Sequence, residues 1–339
     1  MLAAAVLLCC PCQAAPSLSA ERAVVLDAES GRVLFAKEAE TPGLIASTTK
    51  IMTGLLVAEQ CKLQELVTIP QEAVGVEGSS IYLQTGEVCT VEELLYGMLL
   101  HSGNDAATAL AIHCAGREAA FVEQMNEKAR ELGLEHTSFA NPHGLDSEYN
   151  HASAIELAKL TAIAMENPLF YRVVSTKTAK FEGRVFTNHN KLLWRYDGTV
   201  GVKTGYTRAA GRILVSCVER NGRRLIAVTM NAPDDWRDHE KLLDFCFEQF
   251  RSETIITAGQ SFGKVPVISG SEQAEAVAMN GFIYPLSEAE FVSVQCQLPG
   301  FVYAPVLAGE QAGQVIVLLH EEEIARIPLV WRYSVMEGA

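Results

Sequence analysis

Three short motifs contain the side chains that acyl transfer through a serine requires. Ser47 and Lys50 stand three residues apart in the stretch Ser-Thr-Thr-Lys, so a helix would place the hydroxyl and the amine on one face. Ser102 and Asn104 flank a glycine, and Lys203 opens a Lys-Thr-Gly stretch. A serine hydroxyl is a poor nucleophile and needs a base beside it. A lysine can be that base near neutral pH if burial or a second cation lowers its pKa from about 10.4.

The joint occurrence of the three motifs is the evidence, since the shorter ones are expected by chance. With 19 serines and 11 lysines in 339 residues, random placement gives about 0.6 Ser-x-x-Lys matches, and a second match runs from Ser261 to Lys264. All three motifs in this order are expected about 0.002 to 0.003 times. Only Ser47 begins a helical pattern and precedes the other two motifs. Taken singly, Ser47 also fits a helix N-cap and Lys50 a solvated helical lysine.

The first two motifs lie in a block that is predicted to be mainly helical. Strands are predicted over residues 23–26 and 33–35. Thr90 and Ser153, each followed three residues later by glutamate, predict N-terminal caps for two helices. The Ser102 motif is therefore expected in a loop between two helices. The helices are predicted over residues 47–60, 90–100, 105–114, 118–132 and 153–167.

The third motif lies where the pattern returns to strands. Short strands are predicted over 178–181, 185–187 and 200–203, so the Lys203 motif is expected at a strand end. Asn221-Gly222 between two apolar runs is the strongest short hairpin signal. An amphipathic helix is predicted over 238–250. This order predicts an α/β unit.

Composition is typical of a globular protein of about two domains. Apolar residues make up 49% and charged residues 20% of the chain. With 27 lysines and arginines against 41 acidic residues, the net charge is −14, which is the wrong sign for a protein that binds nucleic acid. After residue 254, short apolar runs alternate with Gly, Pro and Ser, which predicts a small β domain. The expected domain organisation is a signal peptide over 1–15, a catalytic domain over 18–252 and a β-sandwich-like domain over 254–333.

The N-terminus has the character of a secretion signal. The apolar run from Met1 to Cys10 is too short to cross a bilayer and is followed by small residues, so cleavage is expected near Ala14 or Ala15. A lipoprotein interpretation through Cys9 or Cys10 is weaker. We expect an exported, extracytoplasmic protein. Because no amphipathic C-terminal anchor is evident, at most peripheral membrane association is expected.

Cysteine and histidine spacing indicates no metal site or cofactor. The six cysteines after residue 15 are scattered without a Cys-x-x-Cys pair, and the eight histidines form no His-x-x-x-His pattern. Small buried hydrophobes are the favoured interpretation of the cysteines, although one or two disulfides stay open. No phosphate-binding glycine loop is present.

The three motifs in this order resemble those of the penicillin-interacting serine enzymes. The surrounding residues are more similar to the D-alanyl-D-alanine carboxypeptidases, the low-molecular-mass penicillin-binding proteins. The resemblance covers about residues 22–250, and the trailing β domain also fits that family's layout. It implies a β-lactamase/transpeptidase-like α+β catalytic domain, with a mainly antiparallel sheet, flanking helices and a helical subdomain. The matching stretches are residues 46–53, 102–107, 141–145 and 201–207.

The same resemblance implies a role for each catalytic side chain. Ser47 attacks the amide between two terminal D-alanines while Lys50 accepts its proton. Ser102 relays a proton to the departing D-alanine. Asn104 holds the substrate's peptide group and positions Lys50. Water then releases the acyl-enzyme.

The resemblance also implies a set of substrate-binding residues. Lys203 and Thr204 attract the substrate carboxylate, and Gly205 lets the backbone approach closely. The backbone N–H groups of Ser47 and Tyr206 form the oxyanion hole. Arg237 is a weaker candidate for the carboxylate. The implied substrate is a peptidoglycan pentapeptide that ends in D-Ala-D-Ala, with β-lactams as inhibitors and no cofactor; the oligomeric state is left open.

Two alternatives stay open at this level. A serine β-lactamase of class A needs a Glu-x-x-Leu-Asn segment, and here Glu166 begins a stretch in which Phe170 replaces the asparagine. The residue between Ser102 and Asn104 is glycine rather than aspartate, and the extra C-terminal domain also disfavours this alternative. The other is a wall-binding protein without turnover, although no motif is broken.

Overall fold

The computed structural model describes residues 15–338, so nearly all of the predicted signal segment (residues 1–15) lies outside the described residues. The chain forms two compact units that divide between Cys246 and Phe247. The first unit contains helices and strands, and the second is built from strands. Within residues 15–338, no helix has both the length and the apolar character needed to cross a bilayer.

Helices in the first unit begin where the sequence supplies caps. The hydroxyls of Thr90 and Ser153 accept the backbone N–H of the glutamate three residues on, so both predicted caps are confirmed. The predicted stop near Pro168 is followed at once by a further helix, because Pro168 fits the first helical turn and the Asn167 side chain caps it. The helices are α1 (Lys50–Gln60), α2 (Val91–Leu100), α3 (Asn104–Ala115), α4 (Glu118–Glu131), α5 (Ala154–Glu166), α6 (Pro168–Ser175), α7 (Leu192–Arg195) and α8 (Asp235–Gln249).

The strands of the first unit include a five-stranded antiparallel sheet in the order β2-β1-β11-β10-β9. Asn221 and Gly222, both with positive φ, form the predicted turn between β10 and β11. The strands are β1 (Arg22–Asp27), β2 (Val33–Lys37), β3 (Gly43–Leu44), β4 (Leu66–Thr68), β5 (Val88–Thr90), β6 (His151–Ala152), β7 (Thr178–Phe181), β8 (Arg184–Thr187), β9 (Thr199–Thr207), β10 (Gly211–Arg220) and β11 (Arg223–Met230).

Helices pack on both faces of this sheet. Alternate strand residues such as Val215 and Val228 join the core that the helices α1 to α6 share. The residues between them point to the opposite face, where His239 of α8 hydrogen-bonds Ser216 and Thr229. The helical core therefore lies on one side of the sheet, and α1 and α3 run through it with their N-terminal ends at the site described below.

The second unit contains a five-stranded antiparallel sheet in the order β13-β15-β20-β19-β17. Its core is formed by alternate residues of these strands, among them Val315, Leu329 and Trp331. The strands are β12 (Phe250–Ile256), β13 (Ser261–Val265), β14 (Val267–Ile268), β15 (Ala274–Ala278), β16 (Phe282–Ser287), β17 (Val292–Gln297), β18 (Val302–Tyr303), β19 (Gln311–Leu319) and β20 (Glu322–Trp331).

The predicted fold class is confirmed in both units, with local corrections. The Lys-Thr-Gly motif lies in the interior of β9 and not at a strand end, because residues 204–207 continue the ladder with β10. Helix α8 begins three residues earlier than predicted, and Phe250 belongs to β12. Strands β15 and β16 were not predicted, since their alanines and proline give a weak strand signal.

Candidate active site

Ser47 lies in a tight 3₁₀ turn that leads directly into α1. The turn spans Ala46–Thr49, and Ala46 has a positive φ of 43°. The N-cap of α1 is Thr49, so Ser47 does not serve as the helix cap. The turn leaves Ser47 half-buried and on the wall of a cavity, while Lys50, one turn later, is fully buried.

Lys50 makes three polar contacts that orient its amine toward Ser47. Its Nζ lies 3.1 Å from Ser47 Oγ, 2.6 Å from Asn104 Oδ1 and 2.5 Å from the carbonyl oxygen of His143. The last two oxygens can only accept hydrogen bonds. A neutral amine would use its two N–H groups on these acceptors, which leaves its lone pair for the Ser47 hydroxyl. The arrangement is therefore that of a base prepared to accept the serine proton.

Burial and a neighbouring cation favour the neutral form of Lys50. Burial lowers the pKa of Lys50 well below its usual value, and the positive charge of Lys203 lowers it further, while Asp105 opposes the shift. Burial alone lowers the pKa of Lys203 to about 7. The pKa of each buried lysine thus lies below the usual lysine value, which favours a neutral Lys50 amine that can accept a proton.

The second and third motifs meet on the other side of Ser47. Lys203 Nζ donates to Ser102 Oγ at 3.0 Å and to the Thr204 carbonyl oxygen at 2.9 Å. Ser102 is buried and has a positive φ of 69°, a conformation that costs a residue with a side chain of order 1 kcal/mol. The hydroxyl of Ser102 is therefore held beside the Lys203 amine, where it can pass a proton onward.

Asn104 begins α3 and is fixed from both ends of its amide. Its Nδ2 donates to the Glu77 carbonyl oxygen at 2.5 Å, so Oδ1 faces Lys50. The next residue, Asp105, accepts hydrogen bonds from the backbone N–H groups of Ile81 and Leu83, which fixes the loop that carries Glu77. Sequence reasoning missed this supporting role because it depends on a loop more than twenty residues away.

Two glycines allow the backbone to close around Ser47. A Cβ atom at Gly205 would lie 3.2 Å from the Ile45 carbonyl oxygen and 3.3 Å from the Ser47 nitrogen, so β9 passes against the serine turn. Gly144 has a φ of +94°, and a Cβ there would overlap the Ala46 carbonyl oxygen. The backbone after Gly205 therefore runs beside that of Ser47, as a pair of oxyanion-hole donors requires.

These residues open onto a cavity of about 570 Å³. Ser47, Ser102, Thr204, Gly205 and Tyr206 are part of its lining. The other residues of its lining come from four segments. They are Ser79, Thr187, Asn188, His189, Lys191, Trp194, Arg212, Asp235 and Trp236.

Arg212 is the cavity-lining arginine that sequence reasoning missed. Its Nη2 donates to Asp235 Oδ1 at 2.9 Å, and its guanidinium lies 5.9 Å from the ring centre of Trp236. Arg237 is exposed on α8 and is not among the described residues that line the cavity. No local pattern distinguishes the two arginines; the pairing of β10 with β9, which sets Arg212 opposite Tyr206, does so.

The β-lactamase candidate Glu166 lies away from this cavity. It is the last residue of α5, its side chain is 74% exposed, and it pairs with Arg224 at 2.7 Å. It is not a cavity-lining residue within the described part of the chain. A deacylating role for Glu166 therefore has no geometric support.

The buried lysines make the stability of the fold depend on pH. Between about pH 7, where folded Lys203 titrates, and about pH 10.4, where an unfolded lysine does, the unfolded chain binds the extra proton. The free energy of unfolding therefore rises with pH across this window. The Lys203→Met variant has no amine to titrate at this position, so its free energy of unfolding should lack this rise, which amounts to about 4 kcal/mol. Wild type should therefore gain stability relative to the variant from about pH 7 to 10. Urea unfolding of both proteins across this range measures it, and parallel curves would contradict it.

Comparison with known proteins assigns both parts of the chain. Residues 11–234 match the family described as D-alanyl-D-alanine carboxypeptidase, and residues 250–337 match the C-terminal domain of penicillin-binding protein 5. D-alanyl-D-alanine carboxypeptidase DacF of Bacillus subtilis is 32% identical over 91% of this chain and 84% of its own length. The DacD enzyme of Escherichia coli is 33% identical over 96% of this chain and 89% of its own.

Solved structures agree with these sequence matches. Penicillin-binding protein 5 of Haemophilus influenzae superposes with a TM-score of 0.83 at 29% identity and covers 96% of this chain and 100% of its own. Penicillin-binding protein 6B of Escherichia coli gives a TM-score of 0.76 at 29% identity over 94% and 97%. The resemblance predicted from the three motifs, and the fold that it implied, are confirmed.

Proposed function

We propose a reaction for this chain, which belongs to the D-alanyl-D-alanine carboxypeptidase family and is a serine-type D-Ala-D-Ala carboxypeptidase. In this reaction Ser47 is the nucleophile, Lys50 its base and Ser102 the proton relay. The observation that carries the proposal is the 3.1 Å contact between Lys50 Nζ and Ser47 Oγ at the wall of the cavity.

Acylation begins with proton transfer from Ser47 to the neutral Lys50 amine. Ser47 Oγ bonds to the carbonyl carbon of the penultimate D-alanine, and the carbonyl oxygen becomes an oxyanion. The N–H groups of Ser47 and Tyr206 stabilise that oxyanion, where one donor contributes about 3 kcal/mol. As the C–N bond breaks, the proton that Lys50 took from Ser47 passes through Ser102, whose hydroxyl lies 3.0 Å from Lys203 Nζ, to the amine of the departing D-alanine, and Lys50 becomes neutral again. The products are an acyl-enzyme and free D-alanine.

The terminal carboxylate of the substrate binds at the Thr204 end of the cavity. Thr204 supplies a hydroxyl, the buried Lys203 supplies positive charge behind it, and Arg212 supplies a guanidinium at the rim. Asn104 holds Lys50 through Oδ1, and the N–H of its Nδ2 that is not donated to Glu77 is the donor for the substrate's peptide group. Hydrolysis of the acyl-enzyme by water, with Lys50 again as base, restores Ser47.

Substitution of Arg212 and of Arg237 separates their contributions to binding of the substrate carboxylate. We expect Arg212→Gln to raise KM for a D-Ala-D-Ala peptide about tenfold with a smaller change in kcat, because it removes one charge-assisted contact to the substrate. Arg237→Gln, at the exposed arginine on α8, is expected to change KM less. Steady-state D-alanine release measures both, and Arg326→Gln, in an exposed ion pair of the second unit, is the control. A larger effect at Arg237 would reverse the assignment.

The substrate is the stem pentapeptide of peptidoglycan, and β-lactams acylate the same serine. The terminal D-Ala-D-Ala amide and a β-lactam both present a carbonyl and a carboxylate to the site. After the β-lactam opens, its amine stays attached to the acyl group and hinders the approach of water.

We further propose a role for each of three segments of the chain. Residues 1–15 direct export, residues 18–252 perform catalysis, and the β domain over 254–333 orients the catalytic unit at the wall.

Intact mass spectrometry with benzylpenicillin, followed by a D-alanine assay, tests this function. A single adduct at Ser47 that persists for many minutes after free drug is removed, together with D-alanine release from a pentapeptide, is the expected result. Rapid loss of the adduct while drug is consumed would instead indicate a β-lactamase. The absence of an adduct and of D-alanine release would support a wall-binding protein without turnover.

A further inference from the structure

A cluster of thiol, imidazole and carboxylate groups lies outside the catalytic cavity, at the opposite ends of two catalytic helices. Cys61 is the C-cap of α1, and His113 lies in the last turn of α3. A sulfur of Cys61, a carboxylate oxygen of Glu65 and a ring nitrogen of His113 all lie within 4.8 Å of one another. Cys114 follows His113 in the chain, and its thiol neighbours that of Cys61 and interacts with it electrostatically. Three donor atoms therefore converge from two segments, residues 61–65 and the end of α3, and the Cys114 thiol is the neighbour of Cys61.

One distance in this cluster is close to the separation of two ligands around a bound ion. His113 Nε2 and Glu65 Oε2 are 3.1 Å apart. A tetrahedral zinc ion with bonds of about 2.0 to 2.3 Å separates its ligand atoms by about 3.3 to 3.8 Å. Small side-chain rotations would reach that spacing. The backbone N–H of Lys62 donates to the other carboxylate oxygen of Glu65 at 3.1 Å, which orients Oε2 toward the cluster.

The chemistry of the donor set favours a metal ion over a disulfide alone. Thiolate, imidazole and carboxylate are the three ligand types that Zn²⁺ takes in proteins. A disulfide would use the two sulfurs and leave His113 and Glu65 without a role beyond their mutual contact. Partial exposure of both side chains, 24% for His113 and 40% for Glu65, gives an ion a path from solvent.

We propose that Cys61, Glu65, His113 and Cys114 bind one Zn²⁺ ion as a structural site. Binding displaces the protons of the two thiols, which pass to solvent, and leaves the metal with no open position. The ion joins the C-terminal ends of α1 and α3. At their N-terminal ends the same helices are joined by the 2.6 Å contact of Lys50 with Asn104. Zinc therefore fixes the relative position of two helices that carry catalytic groups.

The test uses the full chain, reduced and stripped of metal with a chelator, and measures Zn²⁺ binding by competition with a chromophoric chelator. We expect one ion per chain. Cys61→Ser and His113→Ala are each expected to weaken binding about 100-fold or more, since loss of a supporting contact to a ligand already costs about 10- to 100-fold. Cys296→Ser replaces an exposed cysteine of the second unit and is the matched control. Co²⁺ should give a thiolate charge-transfer band that is weaker in Cys61→Ser, where one of the two thiolates remains.

Thermal unfolding supplies a readout that is independent of catalysis. Zn²⁺ at about 100 times its Kd for wild type should raise the Tm of wild type and Cys296→Ser by about 5 °C, and that of His113→Ala by about 1 °C or less. The proposal is overturned if the reduced chain binds no Zn²⁺ or if Cys61→Ser and His113→Ala bind it like wild type. It is also overturned if peptide mapping of protein isolated without reductant or oxygen recovers a Cys61–Cys114 disulfide.

Discussion

Replacement of Ser47 by alanine is expected to abolish acylation by benzylpenicillin and to lower kcat/KM for D-alanine release at least about 10,000-fold. The side-chain oxygen is the atom that we propose to form the acyl-enzyme, and alanine has no group that can take its place. The fold should be kept, because Ser47 is half-buried and does not cap α1. Intact mass after incubation with drug, and a D-alanine assay with the pentapeptide, measure the two losses.

The chain supplies a matched control for this variant. Ser261 and Lys264 repeat the Ser-x-x-Lys spacing in the second unit, where Ser261 begins the strand β13 and not a helix. Ser261→Ala is expected to leave acylation and D-alanine release unchanged. An adduct that persists in Ser47→Ala, mapped to another residue, would move the nucleophile away from the first motif and with it the proposed reaction.

Replacement of Lys50 by methionine is the second prediction with a large effect. Methionine keeps the apolar length of the side chain and removes the amine, so acylation should slow about 1,000-fold, within the range for loss of a general base. In wild type the acylation rate is expected to fall at acid pH as Lys50 binds a proton, because the base must be neutral. The pKa of Lys50 is held well below the usual lysine value by burial and by Lys203, which brings this limb toward neutral pH.

Two readouts separate loss of the base from loss of the fold. Near-UV circular dichroism should be unchanged, and the remaining slow acylation in Lys50→Met should lack the acid limb. Some stability is expected to be lost, about 1–3 kcal/mol, because the oxygens of Asn104 and His143 lose their buried donor. Lys264→Met is the control for lysine replacement. A variant that folds and is acylated at the wild-type rate would show that another group takes the Ser47 proton.

Local patterns in the sequence were sufficient for most of the fold. Caps at Thr90 and Ser153 and the turn at Asn221-Gly222 depend on residues a few positions apart, so they were predicted from the sequence and are confirmed. Helix α6 was missed because a proline that ends one helix can also begin the next. The extent of β9 beyond Lys203 was missed because the partner strand β10, and not the composition of residues 204–207, sets it.

The cavity shows where such patterns stop being informative. The sequence alone does not distinguish Arg237 from Arg212 as the ligand of the substrate carboxylate, and only the packing of β10 brings Arg212 to the cavity wall.

The positions of the cysteines also depend on the tertiary structure. Cys61 and His113 are more than fifty residues apart and no local sequence pattern links them, yet the ends of α1 and α3 bring them together. Cys296, by contrast, is exposed and not one of the buried hydrophobes that the sequence favoured.

The sequence by itself determined which chemistry this protein has, because the three motifs bring the necessary side-chain types in an order that chance does not supply. The tertiary structure alone decided whether those groups can react. Lys50 reaches Asn104 across 54 residues, and Lys203 reaches Ser102 across 101. Contacts over such separations, and the burial that lowers both lysine pKa values, arise from the packing of the whole core. A hydroxyl becomes a nucleophile only when that packing places a neutral amine beside it.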